Sequence, residues 1–418
     1  MACNDLSRKA FVQGAAAASL AVPAFIAHRG DAAQTLRIGE VWELTGVFAD
    51  VAQNGVRGAA IAVDWWNQRG GVLGRRVEAL VEDNQNNPGA SVEKARKLVN
   101  QEGAVALMGT VNSAAALSTS GAANAMRVLF MAGGHADAIS GKACRWNTFQ
   151  IPQTTWQIAH ATGFSFAKLL GKRWYLITPD YALGHALAAG YEDVAKIIGG
   201  EIVANDLTPL GTSDFSPYLT KVEAAKPDCL VLLVQGADWV NCIKQASSYG
   251  ITAKIPLCGP FAELESIWAL PPKLRTGYWG TDWYYKGELV LGERNALAER
   301  FTVEYRKRHG QPPTAESCFG YISMDRLLWG IAQAGTTDAL KVAKILEGAR
   351  FRSLWEGESY FRPVNHALEW PMWFGKLRPN GTPGDPYDVF EILDRQPAGT
   401  TQVPHAAAAK ACAFSWPS

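Results

Sequence analysis

The stretch VEALVEDNQNNPGASVEKARKLVNQEGAVALMGT, residues 77–110, decides the fold. An apolar strand pattern over 77–83 is followed by a helical pattern from Pro88 and then by a second apolar strand pattern ending at Gly109. Proline favours the first turn of a helix because no backbone N–H is needed there. Two strands joined by a helix predict a parallel pair with the helix covering one face of the sheet.

The same alternation of strands and helices continues on both sides of this unit. Near-continuous apolar strands of this kind predict parallel sheets that are covered on both faces. The further strand patterns are residues 36–42, 127–134, 173–180, 201–206, 228–236 and 255–260. They form two sets, roughly 36–153 and 154–283, which predict two similar α/β lobes. Helical stretches follow over 293–348, and a strand-like end over 360–393 precedes an Ala-rich tail.

Bulk composition excludes several function classes. The 418 residues are 48% hydrophobic, which is enough for two or three cores. With 40 basic and 39 acidic residues, the chain has no basic footprint for nucleic acid. The sequence contains no P-loop, G-x-S-x-G, H-E-x-x-H or zinc-type Cys/His spacing. We therefore expect no catalytic residues, no metal and no cofactor.

The first 33 residues have the layout of an export signal. Arg8 and Lys9 precede a weakly apolar run over 10–26, and small residues follow at Ala32 and Ala33. The segment SRKAF resembles the twin-arginine motif, with Lys9 in place of the second arginine, so the Sec route stays open. We expect a periplasmic protein whose mature chain starts near Gln34. No later stretch reaches about 18 uninterrupted apolar residues, so no transmembrane span is expected.

Export affects the interpretation of the cysteines. An even number remains after the signal, and an oxidising compartment permits disulfides. Cys229 and Cys258 stand in apolar strand patterns and are predicted to be buried thiols. Cys144, Cys318 and Cys412 are the stronger disulfide candidates, and the sequence leaves their pairing open.

Ligands of parallel α/β sheets bind beyond the carboxyl ends of the strands, close to helix N-termini. The residues that directly follow the strands are therefore the candidate ligand contacts, together with aromatic side chains that could form apolar walls. These candidates are Phe48, Asn112, Ser113, His135, Ala136, Tyr181, Leu183, Gln235, Phe261 and Trp283, with Trp42 as a further wall. Asn112 and Ser113 have two compatible interpretations, since both can cap a helix and face a ligand.

Residues 44–99 carry a specific resemblance. Thr45-Gly46, Gly58, the turn NQRGGVLG over 67–74, Asp83 and Pro88 together resemble the opening of the leucine/isoleucine/valine-binding protein family. Its members are periplasmic receptors of branched-chain-amino-acid-type ABC importers. The segment FRPVNHALEWPMWFGKL, residues 361–377, is similar to the late strand pair of the family.

The resemblance implies the type I periplasmic binding protein fold, in which two Rossmann-like lobes joined by three crossovers hinge around a ligand cleft. The chain order suggests one lobe from 36–155 plus 284–352 and a second from 156–283 plus 353–397, with a tail over 398–418. The implied partners are a small-molecule ligand, a membrane permease and its ATPase subunits, and the receptor is expected to be a monomer.

The family's ligand contacts transfer only in part. A family serine and the amides after the fourth strand, which hold an α-carboxylate, correspond to Ser113, His135 and Ala136, but Ala136 lacks the family's threonine hydroxyl. Phe261 stands where the family has the glutamate that pairs with the ligand ammonium. Leu183 and Gln235 each replace a family tyrosine.

An unpaired buried ammonium is costly, so these differences disfavour a free amino acid. Asp238 or Asp282 could instead supply an acid. The sequence favours a small carboxylate or amide with an apolar or aromatic body. Branched-chain amino acid binding and a periplasmic ligand sensor remain the alternatives.

Overall fold

The first sheet follows directly from the strand patterns of the N-terminal half. A computed structural model describes residues 35–417, and the predicted export signal lies outside this range. Five strands pair in parallel in the order β2-β1-β3-β4-β5. They are β1 (Leu36–Trp42), β2 (Val77–Asp83), β3 (Ala106–Gly109), β4 (Leu129–Ala132) and β5 (Thr148–Gln150).

The second sheet has seven strands in the order β14-β13-β10-β9-β8-β6-β7. They are β6 (Arg173–Pro179), β7 (Glu201–Thr208), β8 (Cys229–Leu232), β9 (Leu257–Gly259), β10 (Tyr278–Thr281), β13 (Met372–Leu377) and β14 (Phe390–Gln396). The five strands from β6 to β10 are parallel, whereas β13 and β14 add to the β10 edge in antiparallel orientation. A small ribbon pairs β11 (Tyr360–Phe361) with β12 (Leu368–Glu369).

Helices flank both sheets and also carry the connections between them. Those of the first half are α1 (Ala49–Gln68), α2 (Pro88–Asn100), α3 (Ser113–Ala125), α4 (Thr155–Leu169), α5 (Ala182–Ile198), α6 (Ser216–Leu219) and α7 (Val222–Ala225). The others are α8 (Gly236–Ser248), α9 (Leu264–Ala269), α10 (Glu288–Leu291), α11 (Ala296–His309), α12 (Ala315–Ala334), α13 (Ala339–Leu346) and α14 (His405–Ala411). The chain passes between the two sheets after β5, after β10 and before β13, which gives three crossovers.

Helix α12 returns to the first sheet and packs against α1 through glycines. A Cβ atom at Gly58 would lie 1.9 Å from the backbone oxygen of Ser317, and one at Gly320 would lie 1.9 Å from that of Gly55. Only a residue without a side chain allows the two backbones to approach so closely. This contact fixes the first turn of α12 against the body of the first sheet.

The sequence patterns predicted most of these elements but not all. Strand β5 has three residues, TFQ, and lacks an apolar run, while β10 (YWGT) contains a glycine, so neither had a strong pattern. Helix α4 was also missed. The single helix expected around 218–225 is two one-turn helices, α6 and α7.

The cysteine predictions are confirmed except for one residue. Cys144 and Cys412 form a disulfide, and Cys229 and Cys258 are buried free thiols. The expectation for Cys318 was wrong, because this residue is fully buried in α12 as a free thiol.

The C-terminal tail packs on the protein beside this disulfide. The rings of Phe414 and Trp416 lie 4.7 and 5.7 Å from that of His366, which in turn stacks on Phe149 at 4.2 Å. The Nε2 atom of His366 lies 3.2 Å from a carboxylate oxygen of Glu347, in keeping with a structural role. Within residues 35–417, no helix is both long and apolar enough to span a bilayer.

Candidate functional site

A cavity lies where the carboxyl-end loops of the two sheets meet. The enclosed cavity itself is about 30 Å³, within about 430 Å³ of space between protein atoms that includes open solvent. Its lining is Phe48, Val51, Val111, His135, Tyr181, Leu183, Gln235, Phe261, Glu263, Glu265, Asp282, Ala315, Glu316 and Phe319. Concave sites of this kind, with apolar walls and a few polar groups, are the usual form of small-molecule sites.

Six of the ten predicted contact residues line this cavity, and four do not. The six are Phe48, His135, Tyr181, Leu183, Gln235 and Phe261. The four that lie outside its lining are Asn112, Ser113, Ala136 and Trp283, and Trp42 is also absent from it. The strand-end rule therefore located the cavity, and ligand binding by these residues stays a prediction.

Aromatic contacts join the two sides of the cavity. The His135 ring, after β4, stacks on Phe261, after β9, at 5.0 Å and meets Phe319 of α12 edge-on at 5.9 Å. Phe48, at the start of α1, lies 6.4 Å from Tyr181, which precedes α5. Because the His135–Phe261 and Phe48–Tyr181 pairs each join a first-sheet residue to a second-sheet residue, the structure describes a closed arrangement of the cleft.

His135 is held as a neutral imidazole. Burial lowers the pKa of His135 to about 4. Its Nδ1 atom lies 3.0 Å from the carbonyl oxygen of Gln153, which only accepts, so Nδ1–H donates and Nε2 keeps its lone pair. The side-chain amide of Gln153 donates to the carbonyl oxygens of Asp282 and Pro371, at 3.1 and 2.7 Å. Gln153 thus connects the backbones of all three crossovers.

Asn112 and Ser113 serve the turn between β3 and α3. Asn112 is the N-cap, and its Oδ1 accepts the amides of Ala114 and Ala115 at 2.8 and 3.3 Å. The Oγ of Ser113 accepts the Ala136 amide at 3.2 Å. The helix-capping interpretation of Asn112 is confirmed, and the amide proposed to hold a ligand carboxylate instead bonds within the protein.

The remaining predicted residues have packing or loop roles. The Trp283 indole is fully buried, donates to the Leu354 carbonyl at 2.8 Å and packs against Phe301. The Trp42 indole is likewise buried and donates to Glu40. Asp238, one of two candidates for a replacement acid, accepts the Gly211 amide at 2.8 Å and does not line the cavity.

Four carboxyl groups line the cavity, and we call them the acidic wall: Glu263, Glu265, Asp282 and Glu316. Glu263 and Glu265 lie at the start of α9, Asp282 follows β10, and Glu316 stands in the first turn of α12. One oxygen of each is buried without a hydrogen-bond partner. The amide oxygen of Gln235 is likewise buried without a hydrogen-bond partner.

Burial raises the pKa of every group in the acidic wall, because a low-dielectric surrounding disfavours the charged form. The pKa rises to about 8 for Glu263, about 7 for Glu265 and about 8 for Asp282. The pKa of Glu316 is raised mainly by burial and further by the other wall carboxylates. Within residues 35–417, Glu265 accepts from the Asn54 amide at 2.9 Å and from the Thr314 side chain, and Glu263 accepts from the Gly236 backbone amide.

Sequence reasoning named Asp282 but missed the other three acids. Glu263 and Glu265 follow Phe261 by two and four residues in the segment PFAELE, but the family resemblance aligned only Phe261 with the ligand-binding glutamate. Glu316 follows the Thr314 N-cap of α12, whose side chain and that of Ser317 form a capping box. A capping signal in the sequence could have located this helix start, but not its approach to the cavity.

The fold and the cleft define a two-lobed α/β binding protein. The sequence profile of the periplasmic binding protein family matches residues 35–382, so the chain belongs to that family. The family is one of periplasmic binding proteins, and its structural neighbours include a substrate-binding protein of an ABC transporter.

Individual relatives are distant. A "Leu/Ile/Val-binding protein homolog 4" of Brucella abortus (strain 2308) is 26% identical over 260 residues, 60% of this chain and 62% of that protein. The chain thus matches less than two thirds of the length of that relative. A periplasmic binding protein of Burkholderia mallei superimposes with a TM-score of 0.82 at 26% identity, over 90% of this chain and 98% of the other. An amino acid ABC transporter substrate-binding protein of Pseudomonas fluorescens Pf-5 superimposes with a TM-score of 0.82 at 27% identity, over 91% of this chain and 99% of the other.

Proposed function

We propose that this protein is the extracytoplasmic receptor of an ABC importer, which closes around a small organic solute and delivers it to a membrane permease and its ATPase subunits. The observation that carries this proposal is the closed cavity between the carboxyl ends of two sheets, lined from both sides. A ligand that prefers the closed form shifts the population toward it, and the permease can recognise that form.

The aromatic pairs across the cavity suit a ligand with an apolar or aromatic body. Of the two head groups expected from the sequence, an amide fits better than a carboxylate. The acidic wall offers acceptor oxygens, whereas the Ala136 amide is already bonded to Ser113. A carboxylate here would find the nearby backbone amide already used, and it would repel every wall carboxyl group that is ionised.

Branched-chain amino acid binding is the second candidate. The name of the Brucella relative and the position of Glu263, two residues after Phe261, favour it. An α-ammonium could pair with an acid of the wall, but the α-carboxylate would still need donors. A periplasmic sensor would use the same cleft, and permease genes beside this gene would distinguish import from sensing.

Several further features belong to this proposal. The lobes comprise 36–155 plus 284–352 and 156–283 plus 353–397, with 398–418 as a tail. Residues 1–33 direct export, with the twin-arginine route supported by the segment SRKAF and the Sec route by Lys9. The receptor acts as a monomer and catalyses no reaction.

The test is a thermal-shift screen of the purified protein against leucine, valine, benzoate, benzamide, urea and small amines. A true ligand at about 100 times its Kd stabilises the folded state by about 2.7 kcal/mol. We expect at least one amine or amide to do so and to bind with one-to-one stoichiometry by calorimetry. Stabilisation by leucine and valine alone would establish the second candidate, and absence of any ligand across the screen would count against a solute receptor.

A further inference from the structure

The acidic wall is unusual because its charges have no counterpart in the cavity. No lysine or arginine is among the cavity-lining residues. Asp282 is 4% exposed and Glu316 is 5% exposed, and neither carboxylate accepts a hydrogen bond within residues 35–417. Buried carboxylates are normally paired or hydrogen-bonded, because desolvation of an isolated charge is costly.

The other polar groups at the cavity are also acceptors. Gln235 is 4% exposed, uses its amide N–H on the Leu233 carbonyl, and leaves its Oε1 unpartnered. His135 donates from Nδ1 to Gln153, so its Nε2 offers a lone pair. Besides the Tyr181 hydroxyl and the second amide N–H of Gln235, the lining thus presents acceptor oxygens once its carboxyl groups are ionised, a state that a bound cation favours.

Backbone donors on the opposite side are used within the protein. The Ala136 amide donates to the Oγ of Ser113 at 3.2 Å, and the Asp137 amide donates to the Oγ1 of Thr155 at 3.3 Å. The first amides of α3 are capped by Asn112. An anionic head group would therefore meet satisfied donors and unpaired carboxylates.

The arrangement suits separate N–H groups better than one metal ion. Within the described range 35–417, no group of three or more His, Cys, Asp and Glu side chains is placed to hold a metal. The four carboxyl groups come from three elements and surround the cavity instead of converging on one point. A planar or tetrahedral nitrogen head with several N–H bonds can reach acceptors in different directions.

We propose that the cavity binds a small organic cation whose charged head, an amidinium, guanidinium or ammonium group, donates N–H bonds to the acidic wall while its apolar body lies against the aromatic pairs. The assignment deepens the proposed receptor function and rests on it. The arrangement offers no free donors for a ligand α-carboxylate. The cavity should therefore bind such a cation in preference to a free amino acid.

The cation also explains how a ligand closes the cleft. Glu316 lies on α12, which packs on α1 and the first sheet, whereas Glu263 and Glu265 start α9 beside the second sheet. Closing an empty cleft brings these carboxyl groups together and strips water from them, which opposes closure. A bound cation offsets the repulsion and bonds to both sides, so it favours the closed form.

The experiment uses two isosteric series that differ only in the head group: acetamidinium, acetamide and acetate, and benzamidinium, benzamide and benzoate. Affinities are measured by calorimetry on the full mature protein. We expect the amidinium of at least one series to bind about thirtyfold or more tighter than its neutral isostere, with no binding of the carboxylate. Tighter binding of the carboxylate or of the amide would overturn the cation assignment while leaving a solute receptor intact.

Two variants separate a ligand contact from a structural role. Glu316→Gln keeps the shape of the side chain, and we expect it to weaken amidinium binding by about thirtyfold without lowering the thermal midpoint of the ligand-free protein. Glu93→Gln removes the same charge from the exposed face of α2 and should change neither property. Unchanged amidinium affinity in Glu316→Gln, or a lack of amidinium binding in both series, would overturn the proposal. If neutral amides, carboxylates and amino acids also fail to bind, the receptor function itself loses its support.

Discussion

Two groups of residues around the cavity treat their polar atoms in opposite ways. On the first side, the first-sheet loops (residues 110–113 and 133–137) pair their amides with side chains of the protein, as Ala136 does with Ser113. The acidic wall, which includes Glu316 of α12 as well as the acids beside the second sheet, leaves one oxygen of each carboxyl group buried without a partner. A stable core satisfies its own polar groups, whereas a binding surface leaves some of them for a ligand. The difference indicates which groups determine ligand chemistry.

The largest effect should come from removing two wall carboxylates together. Glu263→Gln combined with Glu316→Gln should weaken benzamidinium or acetamidinium binding by about 1,000-fold or abolish it, since each charge-assisted bond contributes roughly 1.5–3 kcal/mol. Calorimetric titration measures the loss, and Glu93→Gln serves as the charge-matched control. Retained affinity in the double variant would mean that the wall does not contact the ligand.

Loss of the Cys144–Cys412 disulfide should lower the free energy of unfolding by about 3 kcal/mol, because the bond closes a long loop in the unfolded chain. Cys412→Ser, followed by chemical denaturation, measures this change. The bond ties the tail to the segment before β5 and neither cysteine lines the cavity, so amidinium affinity should stay within about twofold. A large loss of affinity would show that the tail acts on the cleft.

The pH dependence of the stability of the ligand-free protein should show the raised pKa values of the acidic wall. The folded-state pKa of Glu263 and of Asp282 is about 8, well above their ordinary values of 4.5 and 3.8. Between these values the folded protein holds more protons than the unfolded chain, so stability falls as pH rises from about 5 to about 8. Each of the two groups then lowers stability by about 1.4 kcal/mol per pH unit, so we expect a loss of several kcal/mol between pH 5 and pH 8, measured as a lower midpoint in thermal denaturation.

The wall is not the sole source of this slope, since burial also raises the pKa of Glu40 to about 8 and that of Glu43 to about 7. The comparison that matters is therefore between the wild type and Glu263→Gln/Glu316→Gln. The double variant should lose less stability over the same pH range. Identical slopes in the two proteins would contradict raised pKa values in the wall.

The smallest effect is expected on the first side of the cavity. Ser113→Ala removes the acceptor of the Ala136 amide and should cost about 1 kcal/mol of stability, the usual contribution of one buried hydrogen bond. Amidinium affinity should be unchanged within about twofold, because Ser113 does not line the cavity. A tenfold loss of affinity in this variant would place ligand recognition on the first-sheet loops after all.

Local patterns predicted the fold better than they predicted the site. Alternating apolar strands and helices, with Pro88 at a helix start, predict both sheets, because these signals lie within a few residues of each other. The strand-end rule likewise placed Phe48, His135 and Phe261 at the cavity. The position of Glu316 at the cavity could not be predicted from the sequence, because it depends on glycine contacts between α1 and α12. These two helices are far apart in sequence. Sequence spacing does not encode which side chains end without a partner.

A cation bound between the two sides should close the cleft, and small-angle scattering measures that closure in solution. The radius of gyration of the wild-type protein is measured without ligand, with saturating benzamidinium and with benzoate at the same concentration. We expect a smaller radius with benzamidinium and no change with benzoate. A decrease with benzoate and none with benzamidinium would show that a cation does not close the cleft.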